Sequence, residues 1–326
     1  AATREADLRL DIEQHATAEL SDSGNTAIVP GNLNASELVA RITDPDQPMP
    51  PPESNLKLTA TEIKLLKRWI SEGAKWERHW AFIAPTNQPQ PQVNQQRWPI
   101  NEIDSFVLQE LEANNLPPAP AASRQRWLRR VTFDLTGLPP TLSEIDTFEN
   151  DLSENAFERV VDRLLNSPAY GERLATEWLD VARYGDTDGL FEDHARSIYP
   201  WRDWVVDAFN SNLPYNDFIT WQVAGDLLPS ATVAQQTATG FLRNNPTSNE
   251  GGIIQEDYRV KYLVDRVNTT ATAMLGLTLK CAQCHDHKYD PMTQREYFQF
   301  AGFFNSLVGN GNTKGATAPI LRSLTS

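Results

Sequence analysis

Long apolar runs, basic clusters and strand-like alternation are all missing from this sequence. No apolar run reaches the roughly 18 residues that a transmembrane helix requires, so we expect no membrane span. No run of Lys and Arg is longer than Arg129-Arg130, and the formal net charge is −14. A chain of this charge would repel a phosphate backbone, so nucleic acid is not an expected partner.

Apolar residues are plentiful, and they recur at helical spacing. They make up 40% of the 326 residues, which is enough for packed cores in two domains. Capping boxes, in which a Thr precedes a Glu by three positions, predict helix starts at Thr59, Thr141 and Thr293. No alternation exceeds about five residues and no segment repeats at a fixed period. The sequence therefore predicts a mainly α fold.

The helical spacing also predicts which faces are buried. The predicted faces are Ile63, Leu66, Trp69 and Ile70; Ile103, Phe106, Val107 and Leu111; and Phe157, Val160, Val161, Leu164 and Leu165.

Changes in composition predict four segments. Residues 1–80 form a small helical domain, and residues 81–100, rich in Pro, Gln and Asn, form an extended linker. Residues 101–308 form a larger all-helical domain. The Gly-, Asn- and Thr-rich residues 309–326 are expected to be a linker towards a further domain.

The only two cysteines lie in the run Cys281-Ala282-Gln283-Cys284-His285. A Cys-x-x-Cys-His run is the attachment sequence of c-type haem: its spacing presents both sulfurs to the haem vinyl groups while the histidine reaches the iron. We therefore predict haem c bound through Cys281 and Cys284, with His285 as the proximal ligand. Such attachment places the protein in an oxidising, extracytoplasmic compartment, the periplasm or outside the cell.

Two other interpretations of these residues stay open. A disulfide between Cys281 and Cys284 would close a very short loop and stabilise little. A zinc or iron site with His285 and His287 has suitable ligand types, but crowding them into seven residues gives poor tetrahedral geometry. A thioredoxin-like motif is excluded, because a helix-like stretch precedes the cysteines where a strand is needed.

The sixth iron ligand decides between an electron carrier and a site open to small molecules. His194, in a polar loop between predicted helices, is the candidate distal ligand, although an exposed loop histidine is the more common case. His287 is too close in sequence to His285 to reach the opposite face, and is expected to support the site or lie on the surface. Met274 is expected to be a core residue.

An acidic stretch, Asp186, Asp188, Glu192 and Asp193 around Gly189, is reminiscent of a calcium loop. The twelve-residue ligand pattern is incomplete, so a solvated loop is favoured over a calcium site. Arg183 and Arg266 are candidate partners for carboxylates or for haem propionates.

Around the haem motif the sequence resembles a planctomycete-type cytochrome family whose central domain has unknown function. The resemblance covers most of residues 98–306. It is carried by Cys281 to Pro291, Arg130 to Pro140, Trp178 to Tyr184, Ala224 to Pro229 and Asn249 to Gly252. Family members begin with a small cytochrome c-like domain, which the stretches Leu8-Arg9-Leu10-Asp11, Met49-Pro50-Pro51 and Trp69 to Trp76 resemble.

The resemblance implies a second haem. In such domains the haem-attaching motif lies shortly before the Leu-Arg-Leu-Asp stretch, and the methionine of the Met-Pro-Pro segment is the axial ligand. Met49 is thus the implied ligand of a first-domain haem. We expect the attachment motif to lie upstream of Ala1 in a longer chain; loss of that haem is the alternative.

The predicted function is an electron-transfer cytochrome module whose partners are other haem domains or redox proteins. The resemblance implies no established reaction, but suggests an oxidative role in polysaccharide use, with a glycan or other small substrate. The alternatives are a haem enzyme, peroxidase-like or a sugar-oxidising dehydrogenase, and a non-haem structural or glycan-binding module.

Overall fold

The computed structural model describes residues 10, 12–20, 23–77 and 79–307. Over these residues the fold is mainly α, as predicted: it contains 13 α-helices and only isolated β-bridges. The chain divides into two compact units, Ala1–Pro118 and Ala119–Ser326. Leu8, Arg9 and Asp11, and the predicted linker 309–326, lie outside the described residues.

The first unit contains four α-helices among its described residues. They are α1 (Glu13–Ala16), α2 (Glu37–Thr43), α3 (Ala60–Ser71) and α4 (Glu102–Ala113), with short 3-10 turns at Pro52–Ser54 and Trp80–Phe82. Its core joins Ala16, Ile28, Ile70 and Ala74, with Trp69 and Trp76 packed against them. Ile70 is fully buried, so the predicted apolar face of α3 does reach the core.

The predicted buried face of α4 is wrong. Ile103 is 72% exposed and Val107 is 47% exposed, whereas the buried residues of this helix are Ser105 and Leu108. Polar contacts from the preceding Pro- and Gln-rich segment explain the difference. Gln90 Nε2 donates to Ser105 Oγ at 2.9 Å, and Glu112 accepts backbone N–H groups of residues 94 and 95 at 3.0 and 3.1 Å. The spacing of apolar residues in the sequence does not predict such polar contacts.

The second unit holds the remaining helices of the described chain. They are α5 (Arg124–Thr136), α6 (Leu142–Asn150), α7 (Ala156–Leu165), α8 (Pro168–Val181), α9 (Tyr199–Asn210), α10 (Tyr215–Ala224), α11 (Val233–Ala238), α12 (Gln255–Thr270) and α13 (Gln294–Asn305). A π-turn, Ala271–Leu275, extends α12, and 3-10 turns lie at Gly225–Leu227, Thr239–Arg243 and Leu279–Gln283.

Two hydrophobic clusters hold this unit together. The smaller joins α5, α6 and α7 through Leu128, Phe148 and Leu164. In α7, Val160 and Leu164 are buried as predicted, while Phe157 and Leu165 at the edges of the face are 37% and 39% exposed. The larger cluster runs from α8 to α13 around Trp201 and Phe241.

The three capping boxes predicted from sequence are confirmed. In each, the Thr hydroxyl accepts the backbone N–H of the Glu, and the Glu carboxylate accepts the backbone N–H of the Thr. They begin α3, α6 and α13, so local side-chain chemistry sets these helix starts. No helix in the described ranges is both long and apolar enough to cross a bilayer.

Candidate functional site

The Cys-x-x-Cys-His run lies on a short 3-10 turn that the main core anchors. Gly276 closes the π-turn with a left-handed backbone, φ 65°, and the chain then enters the turn Leu279–Gln283. Leu279 and Ala282 are buried (1% and 0% exposed), whereas both cysteines are exposed free thiols. Because a 3-10 turn has about three residues per turn, residues three apart share a side. The apolar pair faces the core and the thiol pair faces outward.

The His285 ring is held by its own backbone. Its Nδ1 lies 2.7 Å from the carbonyl oxygen of Asp286. A carbonyl oxygen only accepts, so Nδ1 carries the proton and donates. Among the described residues no group hydrogen-bonds Nε2, which is left with its lone pair free. Histidines that bind metals usually donate their second nitrogen to a carbonyl or carboxylate in this way.

Two hydrogen bonds tie the motif to the start of α13. Asp286 Oδ1 accepts the backbone N–H of Gln294 at 2.9 Å, and Gln294 Nε2 donates to the carbonyl of Gln283 at 3.0 Å. Gln294 directly follows the N-cap Thr293, so the capping box that starts α13 also positions the partner of the motif.

His287 supports the loop after the motif. Its side chain is only 7% exposed. Its Nδ1 accepts the backbone N–H groups of Asp290 at 2.8 Å and Tyr289 at 3.3 Å, and its own backbone N–H donates to the carbonyl of Met292 at 2.8 Å. Of the two expectations for this residue, the supporting role agrees with the structure and the surface position does not.

Tyr297 lies near Cys284, and no sequence signal singles it out. It is fully buried, and its hydroxyl lies 3.4 Å from Asn268 Oδ1 on α12. Burial raises the pKa of this hydroxyl, the hydrogen bond to Asn268 opposes the rise, and the nearby Cys284 adds to it. Cys284 therefore lies close to a polar pair that links α12 and α13.

The chemistry of this arrangement fits haem c. Thioether attachment needs two accessible thiols about one turn apart, and iron ligation needs an imidazole nitrogen that is not already used. Cys281, Cys284 and His285 meet these needs. A protein-only zinc site finds no comparable arrangement: no group of three or more His, Cys, Asp or Glu is placed to hold a metal ion within the described ranges.

The other candidate iron ligands lie in different settings. His194 is exposed, and its Nε2 lies 3.1 Å from Glu192. Met274 packs against the main core, as expected, and so does Met292, which sequence reasoning did not consider. Met49, in the first unit, is 42% exposed, and its backbone N–H donates to Arg41 O at 3.1 Å. None of these observations identifies a sixth ligand, so His194 stays a prediction.

The acidic loop uses its carboxylates within the protein. Asp186 accepts the Tyr184 hydroxyl. Asp188 accepts the Thr247 hydroxyl at 3.0 Å, and Asp193 accepts the Gly189 N–H at 2.6 Å. These contacts agree with a structured loop and leave the calcium interpretation without support.

Of the two arginines expected to partner carboxylates, Arg183 forms an ion pair with Asp265. Arg266 Nε donates to the backbone carbonyl of Leu242 at 2.8 Å.

Two protein-family models match the chain. Residues 102–308 match the family PSCyt2, described as a protein of unknown function (DUF1549), and residues 1–53 match Planctomycete cytochrome C. No curated protein and no solved structure matches the chain. The first match spans the motif, all of its supporting residues and well over half of the sequence. The chain therefore belongs to the planctomycete cytochrome family in which a Planctomycete cytochrome C segment precedes the DUF1549 domain.

Proposed function

We propose that this chain is an extracytoplasmic c-type cytochrome module that transfers electrons through haem attached at Cys281 and Cys284, with His285 as the proximal ligand. The observation that carries the proposal is the His285 ring, whose Nδ1 is fixed by Asp286 O while Nε2 stays available beside two exposed thiols. Bound haem would supply a reversible one-electron iron couple.

The residues of the chain have separate roles in this proposal. Cys281 and Cys284 hold the group covalently. The Asp286 carbonyl fixes the tautomer and orientation of the His285 ring and leaves Nε2 as the nitrogen that would bind the iron. Leu279 and Ala282 fasten the turn to the core, so that the thiols and the ring keep their relative positions.

The match of residues 1–53 to Planctomycete cytochrome C supports a second haem in the first unit. Met49 is the proposed axial ligand there. Partner haem domains or redox proteins would then exchange electrons with both groups, and a link to oxidative polysaccharide use is part of this proposal. Haem attachment requires reduced thiols delivered to a maturation system outside the cytoplasm, which supports a periplasmic or secreted location.

Mass spectrometry of the denatured chain from its native host tests attachment directly. The peptide that contains Cys281 and Cys284 should carry an increment of about 616 Da, which survives acid extraction because thioether bonds are covalent. The paired variant Cys281→Ala, Cys284→Ala should lose it. A native-host chain whose Cys281 peptide has plain polypeptide mass would overturn the proposal.

Spectroscopy tests the role of His285. His285→Ala should keep the mass increment but change the optical spectrum, because the cysteines remain while the proximal ligand is gone. The matched control is His194→Ala: an unchanged spectrum would exclude His194 as the distal ligand, and a changed one would support it. An unaltered spectrum in His285→Ala would show that another residue binds the iron.

Carbon monoxide binding separates the carrier from the haem enzyme. Slow or absent binding to the reduced protein indicates a strong sixth ligand and an electron carrier. Rapid binding indicates an open iron position, and would favour the peroxidase-like or sugar-oxidising alternatives.

A further inference from the structure

Four arginines from distant parts of the sequence converge in the second unit. Arg183 follows α8, Arg196 ends the acidic loop, Arg243 ends the 3-10 turn after α11, and Arg266 lies on α12. We call them the arginine cluster. Arg266 Nε donates to the carbonyl of Leu242, the residue before Arg243, at 2.8 Å, which brings Arg266 next to this segment. The pKa of Arg266 is lowered to about 10, chiefly by burial and also by the neighbouring charges of Arg243 and Arg183.

Two members of the cluster are used by the protein itself. Arg183 forms an ion pair with Asp265. Arg196 donates to the backbone carbonyls of Gly185, Asn244 and Asn245, at 3.1, 3.0 and 2.9 Å. These two arginines therefore join the acidic loop and α12 to the segment around residue 244.

The other two, Arg243 and Arg266, have guanidinium N–H donors that no described residue accepts. Arg266 uses its Nε on Leu242 O, and the Arg243 side chain makes no hydrogen bond or ion pair with any described residue. Asp226 and Asp265 act on them electrostatically, but no carboxylate of the described chain lies within 4.0 Å of either guanidinium. A guanidinium has five N–H donors in total.

The free ends of these guanidiniums reach solvent. No nitrogen of Arg243 or Arg266 is among the fully buried polar atoms of the described chain that lack a hydrogen-bond partner. Since the Arg243 nitrogens and the Arg266 Nη atoms have no partner among the described residues, they must be accessible. An anion binds to adjacent cations that are partly buried and still have accessible N–H donors, and these two guanidiniums meet that requirement.

Asn244 provides a second observation. Its side chain is buried, at 1% exposed, and neither Oδ1 nor Nδ2 has a hydrogen-bond partner in the described chain. Its carbonyl is fixed by Arg196 Nη2 at 3.0 Å, and it directly follows Arg243. A buried amide without partners is costly, and a polar partner supplied from outside the protein would remove that cost.

We propose that Arg243 and Arg266 form a binding site for an oxyanion group, a carboxylate, phosphate or sulfate, in the segment that also contains the unpartnered amide of Asn244. The forked guanidinium pairs with two oxygens of such a group at once, and the second arginine can bind a third.

Arg266 leaves α12 in a different direction from the residue that bonds Tyr297. Asn268, which accepts the Tyr297 hydroxyl near Cys284, is two residues from Arg266 on α12. Two residues correspond to about 200° around a helix, so the Arg266 and Asn268 side chains leave it on nearly opposite sides. The titration below uses free anions, so it tests this site separately from haem attachment at Cys281 and Cys284.

Calorimetric titration of the full chain with sodium sulfate, phosphate or acetate tests the proposal, with chloride at matched ionic strength as reference. We expect saturable binding of at least one oxyanion. Sulfate and phosphate binding without acetate would assign a tetrahedral group, and acetate binding alone would assign a carboxylate. Sulfate also stabilises proteins by exclusion from their surface, so a saturable isotherm is the criterion.

Variants on the same helix identify the site. Arg266→Met should weaken binding by about tenfold or more, the loss expected for a charge-assisted hydrogen bond. Arg259→Met is the matched control, because Arg259 is already paired with Glu256, and it should stay within about twofold. If a methionine variant does not fold, Arg266→Lys and Arg243→Lys replace it in the test. Both keep the charge but lose the forked guanidinium, so they should weaken binding. No saturable binding of any of the three anions, or equal loss in Arg259→Met and Arg266→Met, would overturn the proposal.

Discussion

The anchoring of the haem motif can be tested by truncating one leucine. Leu279 precedes Cys281 by two residues, is 1% exposed and belongs to the main core cluster. Leu279→Ala removes its packing and leaves a cavity, which costs about 3 kcal/mol at buried leucines. For a unit of roughly 200 residues each kcal/mol lowers the melting temperature by about 2–4 °C. We therefore expect the second unit to melt about 6–12 °C lower.

Leu275→Ala is the matched control. Leu275 lies four residues earlier, in the π-turn, and is 55% exposed. Exposed truncations usually change stability by about 0.5 kcal/mol, so its melting temperature should fall by about 2 °C or less. Differential scanning calorimetry of the full chain measures both variants. If Leu279→Ala melts within about 2 °C of Leu275→Ala, the core does not hold the motif through Leu279, and the anchoring argument is refuted.

Two further predictions concern helix geometry and acid stability. Gly171→Ala should destabilise the chain by about 1–2 kcal/mol, because the added Cβ would lie 2.5 Å from the Val206 carbonyl oxygen where α8 meets α9. Gly302→Ala is the control: its added Cβ would meet open space, so this variant should be more stable by about 0.5–1 kcal/mol. Urea unfolding measures both, and a Gly171→Ala variant as stable as Gly302→Ala would contradict the packing. The hydrogen bond from Thr293 N lowers the pKa of the Glu296 carboxyl in the folded state below its usual 4.5. The ionised carboxylate therefore stabilises the fold fully above pH 4.5, and this stabilisation is lost as pH falls through the lowered folded-state pKa. Glu296→Gln should therefore flatten the decline in melting temperature below about pH 5, and an unchanged acid profile would exclude this role.

Features encoded by a few neighbouring residues were predictable from the sequence. The helix starts at Thr59, Thr141 and Thr293 follow from side chains that bond the backbone three residues away. That Cys281 and Cys284 share one side of their turn likewise follows from local spacing, because residues three apart in a 3-10 turn lie on the same side. These signals act over one helical turn and need no knowledge of the rest of the chain.

Features that depend on distant segments were not predictable in this way. The face that α4 buries is set by hydrogen bonds from Gln90 and the backbone of residues 94 and 95. The burial of His287 depends on how the loop after it folds back onto the histidine ring. Tyr297, near Cys284, is an ordinary helical aromatic in the sequence, and only the packing of α12 against α13 brings its hydroxyl to Asn268.

The sequence alone determined the mainly α class, the main helix starts and the three residues proposed to hold haem. Each of these is a property of residues within about one turn of one another, where spacing fixes geometry. The tertiary structure alone decided that Arg243 and Arg266 become neighbours, since they belong to segments 23 positions apart whose approach depends on the core around Trp201 and Phe241. It also decided what the Arg266 and Asn268 side chains of α12 contact, the Leu242 carbonyl and the Tyr297 hydroxyl, because the direction of a side chain leads to a contact only when its helix has been packed.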